Sequence, residues 1–122
     1  MIKNNRDDFD QCAALVLTLL YKAFPMETDI VVDDLLADPF DEELTDNYFA
    51  TIRFLQREGF IRYQEFDFGT FRSVVLTAKG LKVLDTFPDK SEETIAQQIS
   101  NALQDNKAVG NVIRELIKVA VI

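Results

Sequence analysis

The chain has no histidine and no tryptophan, and only one cysteine, three prolines and four glycines among its 122 residues. Without histidine it lacks the commonest general base near neutral pH and the commonest metal ligand. A single cysteine, Cys12, excludes a disulfide within the chain and a thiolate zinc site. The glycines form no G-x-G-x-x-G turn, no phosphate-cradling P-loop and no G-x-S-x-G nucleophile elbow. No apolar run reaches the ~18–20 residues needed to span a membrane. The segment from Met1 to Asp8 leads into no signal-peptide hydrophobic stretch. These absences point to a cytoplasmic, non-enzymatic protein with no cofactor, no bound metal and no membrane partner.

Positive charge is also scarce. The formal net charge is −8, from 13 basic and 21 acidic side chains. It is steepest in residues 1–40, where three basic residues face eight acidic ones. Nucleic-acid binders draw much of their affinity from neutralising phosphates, so this balance weighs against a polyanionic partner unless a local basic patch exists. What the chain does have is apolar residues, 48% of the total, including ten Phe and three Tyr. That is enough for a packed domain of ordinary size without metals or crosslinks.

Hydrophobic periodicity organises the chain. Phe9, Cys12, Ala13, Val16, Leu19, Leu20 and Ala23 predict a helix over about residues 7–24, with Leu15 and Leu17 widening its buried stripe. Cys12 is expected as a buried thiol. A short strand follows at residues 28–32, then a short second helix over residues 32–37 with Asp33 as N-cap and a turn at Asp38, Pro39 and Phe40. The third helix runs from Asp41 to Glu58 on a stripe of Leu44, Tyr48, Ile52 and Leu55, and Gly59 stands where a left-handed C-cap is expected. Residues 60–66 and 70–76 alternate as strands around a turn at Asp67, Phe68 and Gly69. Thr77 caps a fourth helix reaching about Phe87 before Pro88. Ser91 is placed as the cap of a fifth helix opening with Glu92 and Glu93. A break near Asp105 then precedes a final helix on Val109, Val112, Ile113, Leu116 and Ile117. The carboxylates Asp29, Asp33, Asp34, Asp38 and Asp41 lack the spacing of a calcium loop and read as solvated charge.

This order of elements, punctuated by Leu55, Gly59, Phe60 and Ile61 and then by Leu76, Thr77, Gly80 and Leu84, resembles the winged helix-turn-helix superfamily over residues 8–87. The fold class expected is α+β: mainly helical, with a small β-hairpin and two extra C-terminal helices. Residues 1–88 would form the winged-helix domain and residues 89–122 a helical extension. By analogy with small bacterial regulators, that extension would make a homodimer through Ile99, Leu103, Val112, Ile113, Leu116 and Ile117. The resemblance makes the third helix the recognition helix and residues 67–69 the wing tip. Positions near Asp46, Asn47, Phe49, Ala50 and Arg53 would then face a DNA groove.

A DNA reader presents donors there, whereas this helix opens with Asp41, Glu42, Glu43 and Asp46. Two readings follow. In one, a protein partner docks on helix three and an aromatic wing, using Asn47, Phe49, Arg53, Arg57, Arg62, Phe68 and Arg72. In the other, the same residues hold duplex DNA, as in a transcription regulator. Phe49 is either an exposed anchor or, with the register moved by one, a core residue.

Overall fold

A computed structural model of the protein describes residues 4–121. Among them are five α-helices and a four-stranded antiparallel sheet, an α+β architecture. The helices are α1 (Asn5–Ala23), α2 (Glu42–Arg57), α3 (Ala78–Leu84), α4 (Ile95–Ala102) and α5 (Asn106–Val121). The strands are β1 (Thr28–Val31), β2 (Ile61–Arg62), β3 (Glu65–Asp67) and β4 (Thr70–Leu76). Strand β4 is the hub, pairing with each of the other three.

Helix α1 is central because its inward arc is apolar from Cys12 to Leu20. Cys12, Ala13, Ala14, Val16, Leu17 and Leu20 are all buried, and α2, α4, α5 and β4 pack around them. Leu19, expected on this arc, lies at its margin and is 37% exposed, while Leu17 takes the buried place. The expected helix over residues 32–37 is only a 3-10 turn, Val32–Asp34, whose preceding residue, Val31, offers no side-chain cap. The physical reason lies in its neighbours: Pro39 holds Asp38 away from the helical region, and so short a segment yields too few hydrogen bonds to offset nucleation.

The pair of glycine signals turns out to be one interlocking device. Helix α2 ends in a Schellman arrangement, in which the Phe60 N–H donates to Leu55 O and the Gly59 N–H to Gln56 O, with Gly59 at φ +82°. The Thr77 hydroxyl caps α3 by accepting from the Gly80 N–H at 3.0 Å and itself donates to Gly59 O. Lys79 Nζ reaches Glu58 O at 2.8 Å. A Cβ on Gly80 would stand 2.1 Å from Phe60 O, so only glycine lets α3 approach the end of α2 this closely.

Two helix ends differ from expectation. Helix α3 stops at Leu84 because the Thr86 hydroxyl donates to Lys82 O and Phe87 precedes a proline. Helix α4 is capped by Thr94, not Ser91. Thr94 and Gln97 form a reciprocal capping box, while Ser91 Oγ accepts from the Glu93 N–H and from Gln98.

The C-terminal helices belong to the same core as the rest. Ile95, Ile99, Val109, Ile113 and Leu116 are buried in the cluster that contains the inward face of α1. Ile99, Ile113 and Leu116, expected at a dimer face, therefore point into their own chain. Leu103, Val112 and Ile117 are partly buried against it. No helix among the described residues is long and apolar enough to cross a membrane.

Candidate functional site

Helix α2 carries most of the candidate side chains, and its register decides what they can do. Tyr48, Thr51, Ile52 and Leu55 are buried. At about 100° per residue, the opposite arc runs from Asn47 at one margin through Ala50, Arg57 and Arg53 to Phe49 at the other. The outward face is polarised. Asp41 caps the helix by accepting from the Leu44 N–H at 3.1 Å, and Glu42, Glu43 and Asp46 follow on its exposed opening turns. Arg53 and Arg57 occupy the closing turns, so each end carries the sign that opposes the helix dipole.

At the Phe49 margin, α2 meets the hairpin. Phe49 packs edge-on to Phe66 with centroids 5.2 Å apart, and Phe66 lies 4.5 Å from the fully buried Phe71. Phe49 is thus half-buried, a junction residue between helix and sheet. Arg53 lays its guanidinium over both rings, 5.9 Å from Phe49 and 5.4 Å from Phe66. The stack leaves the edge of Phe66 and one side of Arg53 facing outward.

Beyond this junction the hairpin projects. Asp67 pairs with Thr70, leaving a two-residue turn of Phe68 and Gly69 at φ +48° and +76°. Two successive positive φ values make this a type I′ turn, whose first position is usually Asn, Asp or Gly. Here it holds Phe68, which is 99% exposed. The apolar ring gains nothing from the fold, and its backbone sits where an aromatic residue is disfavoured.

Arg72 is committed elsewhere. Its Nε donates to Asp67 at 3.0 Å and an outer nitrogen to Asp29 at 3.2 Å. Asp29 also accepts from the Ser73 N–H at 2.9 Å, closing an irregularity in which two β4 residues, Arg72 and Ser73, face the single Asp29. Ser73 has φ +58°. Asp29 is therefore a structural clamp, and Asp41 a helix cap, where both had read as solvated charge. Asp38 likewise accepts from the Phe40 N–H.

Asn47 donates to Asn5 O at 3.0 Å and accepts from Thr51, tying α2 to the start of α1. It shares a shallow groove with Phe9, Phe54 and Arg57, where Phe9 and Phe54 meet edge-on at 5.5 Å. Arg57 and Arg62 are exposed and form no ion pair among the described residues. The candidate residues therefore divide into a helix–hairpin junction (Phe49, Arg53), a projecting tip (Phe68), two free cations (Arg57, Arg62) and two structural ties (Asn47, Arg72).

Cys12 lies at the centre of the core, its thiol 3.9 Å from Tyr48 O, and burial pushes its pKa well above the usual thiol value. No group of three or more His, Cys, Asp or Glu residues that could hold a metal ion occurs among the described residues. Comparison of the chain with family models, with curated proteins and with solved structures finds no match.

Proposed function

We propose that the chain is a non-enzymatic winged-helix module of the regulatory kind that binds a protein partner through the outer face of α2 and the tip of its hairpin. Phe68 carries this reading. It is wholly exposed, adopts a backbone conformation costly for its type, and contributes no packing. An exposed ring at the tip of a projecting turn is free to make a contact outside the fold, and aromatic rings supply large contact area there. Around it, the Arg53 stack on Phe49 and Phe66 offers the aromatic and arginine anchors that dominate protein interfaces. The face is negative at one end of α2 and positive at the other, which suits a partner of complementary mixed charge better than a uniform polyanion.

The alternative is a DNA-binding regulator using the same elements, and Arg57 and Arg62, exposed and without an ion pair among the described residues, favour it. Against it, Arg72 is held by two carboxylates, and Glu42, Glu43 and Asp46 face the approach path of a phosphate backbone. The winged-helix reading itself rests on the order of α1, β1, α2 and the hairpin, with the first helix of the helix-turn-helix pair reduced to a 3-10 turn.

Phe68→Asn separates these readings, because Asn is at home in a type I′ turn and leaves the fold intact. Affinity capture followed by mass spectrometry, run in parallel on wild type and variant, should give a partner retained by the former and lost by the latter. Identical partner sets would overturn the role of the tip. Salt-dependent binding to pooled duplex DNA, abolished by joint Arg57→Ala and Arg62→Ala substitution, would establish the alternative.

A further inference from the structure

On the Asn47 margin of α2, across the helix from the Phe49 junction, α1, α2 and α5 leave an apolar trough at the surface. Phe9, Phe54 and Ile117 line its larger part, and Phe60 and Val121 carry it past the C-terminal end of α2. Phe54 and Ile117 line both parts, so the two adjoin. The larger part holds about 570 Å³, against the ~150 Å³ that takes up one benzene ring. It has room for several side chains. Its apolar groups reach solvent: Phe54 is 41% exposed and Val121 80%. Contiguous exposed apolar surface with a polar rim marks a place of association.

The rim departs from the charge of the chain. Arg6, Arg57 and Lys79 stand along it, and Glu58 is the one carboxylate among its lining residues. The buried Asp10 accepts from Arg6 Nε at 2.8 Å. Arg57 and Lys79 form no ion pair among the described residues. Lys79 Nζ instead donates to the backbone oxygen of Glu58 and lies 5.0 Å over the Phe60 ring. Three cations thus face two carboxylates here, in a chain whose net charge is −8.

The conformation of an occupant follows from hydrogen bonding. Asn47 already donates to Asn5 O and accepts from Thr51. No strand borders the trough, so an extended peptide would find little to pair its backbone. A helix satisfies its own. Along the α2 wall, the rise from Asn47 to Glu58 is about 16 Å, or roughly three helical turns. We propose that this trough binds an acidic amphipathic helix of about three turns from a protein partner. Its apolar stripe would lie on Phe9, Phe54 and Ile117, with its carboxylates directed to Arg57 and Lys79. The site lies on the other margin of α2 from Phe49 and Arg53 and does not rest on the role given to Phe68.

The test is selection of a displayed library of helix-forming peptides, about four turns long, on the full-length chain. The winning peptide is then titrated into isotope-labelled protein and followed by amide NMR shifts. Enriched sequences should carry an apolar stripe at helical spacing flanked by Asp and Glu. The winner should shift amides at the start of α1, on α2 and at the end of α5. Phe54→Glu should weaken it at least about thirtyfold, as loss of a buried aromatic anchor does. Arg57→Glu should weaken it about fivefold, the upper range for one exposed charge pair. Arg57 is exposed, so this variant decides alone if Phe54→Glu fails to fold. Phe68→Asn should leave the affinity unchanged. No enrichment, enrichment of basic sequences, affinity indifferent to Arg57→Glu, or displacement of the winner by duplex DNA would each overturn the proposal. So would a self-associated chain in sedimentation that the peptide does not dissociate, which would give the trough to a second copy. Loss of binding in Phe68→Asn would place the peptide on the hairpin tip and overturn it equally.

Discussion

Single atoms decide several features of this chain, and Gly80 is the clearest. The carbonyl oxygen of Phe60 occupies the place where a Cβ of residue 80 would go, and that oxygen also accepts from the Thr77 N–H at 3.0 Å. Backbone cannot swing aside as a side chain can, so α3 must shift as a whole. Gly80→Ala is expected to lower stability by about 1–3 kcal/mol, the usual range for forced overpacking. Urea unfolding monitored by circular dichroism measures it, and an unchanged midpoint would contradict the close approach. Cys12 makes a second case. Its thiol, ordinarily titrating at 9.0, is pushed upward by burial, and burial likewise raises the Tyr48 hydroxyl from 10.0 to about 12. Both groups hold their protons longer when folded than when unfolded. Their stabilisation is therefore complete below pH ~9 and declines as the unfolded chain ionises above that. Stability should fall between pH 9 and 12, and the fall should be shallower in Tyr48→Phe. A wild-type profile flat over that range would refute the account. At neutral pH, Cys12 should react with a thiol reagent only at the rate of unfolding. The burial of Cys12 was legible from its place in a helical stripe. The role of Asp29 was not, because its partners Arg72 and Ser73 are more than 40 residues distant, too far for any local pattern.

Elements were legible where their signals are local. The stripe of α2, the glycine that ends it and the threonine that opens α3 all act within a few residues, and the structure has them where the sequence placed them. Ser91 shows how a local signal can mislead. A serine followed by two glutamates resembles a helix start, but Thr94 with Gln97 three residues later satisfies two backbone donors reciprocally and takes the cap. Thr94→Ala should therefore cost about 1 kcal/mol. Ser91→Ala should cost visibly less in the same thermal-melt series, since Ser91 satisfies one backbone donor and one side chain and takes no part in the capping box. Equal losses would mean that α4 starts earlier than described. The reduced second helix was illegible for a different reason. Its residues have acceptable helical propensity, but Pro39 and the docking of the Val32 N–H on Gly69 O at 3.1 Å commit the segment to the sheet edge. At the candidate site the same divide holds: the exposure of Phe68 follows from its turn, whereas the stacking of Arg53 on Phe66 needs a tertiary contact.

For the molecule as a whole, the open question was whether residues 89–122 are an appendage. Their apolar pattern must dock either on the core or on a second subunit. In the structure the cover is α1, which carries apolar residues around more of its circumference than α2 and β4 can bury. Helix α5 crosses α1 where Gly110 lets it approach Asp10, a buried carboxylate that accepts from Arg6 at 2.8 Å. The magnitudes follow from the buried side chains. Ile95, Ile99, Val109, Ile113 and Leu116 are each worth roughly 1.5–3 kcal/mol in transfer from water. Together they contribute roughly 8–15 kcal/mol, as much as the entire net stability of a typical domain. A chain ending at Pro88 would lose that term and also uncover the side of α1 against which α4 and α5 pack. It is expected to lack a cooperative unfolding transition and to bind a hydrophobic dye, with helical signal reduced by more than the share of α4 and α5 alone. Calorimetry and circular dichroism on the truncated chain would test this. A cooperative transition near that of the full chain would support a division at residue 88. The intact chain should then be studied by sedimentation, because Leu103, Val112 and Ile117, partly buried, are what remains of the expected contact between copies.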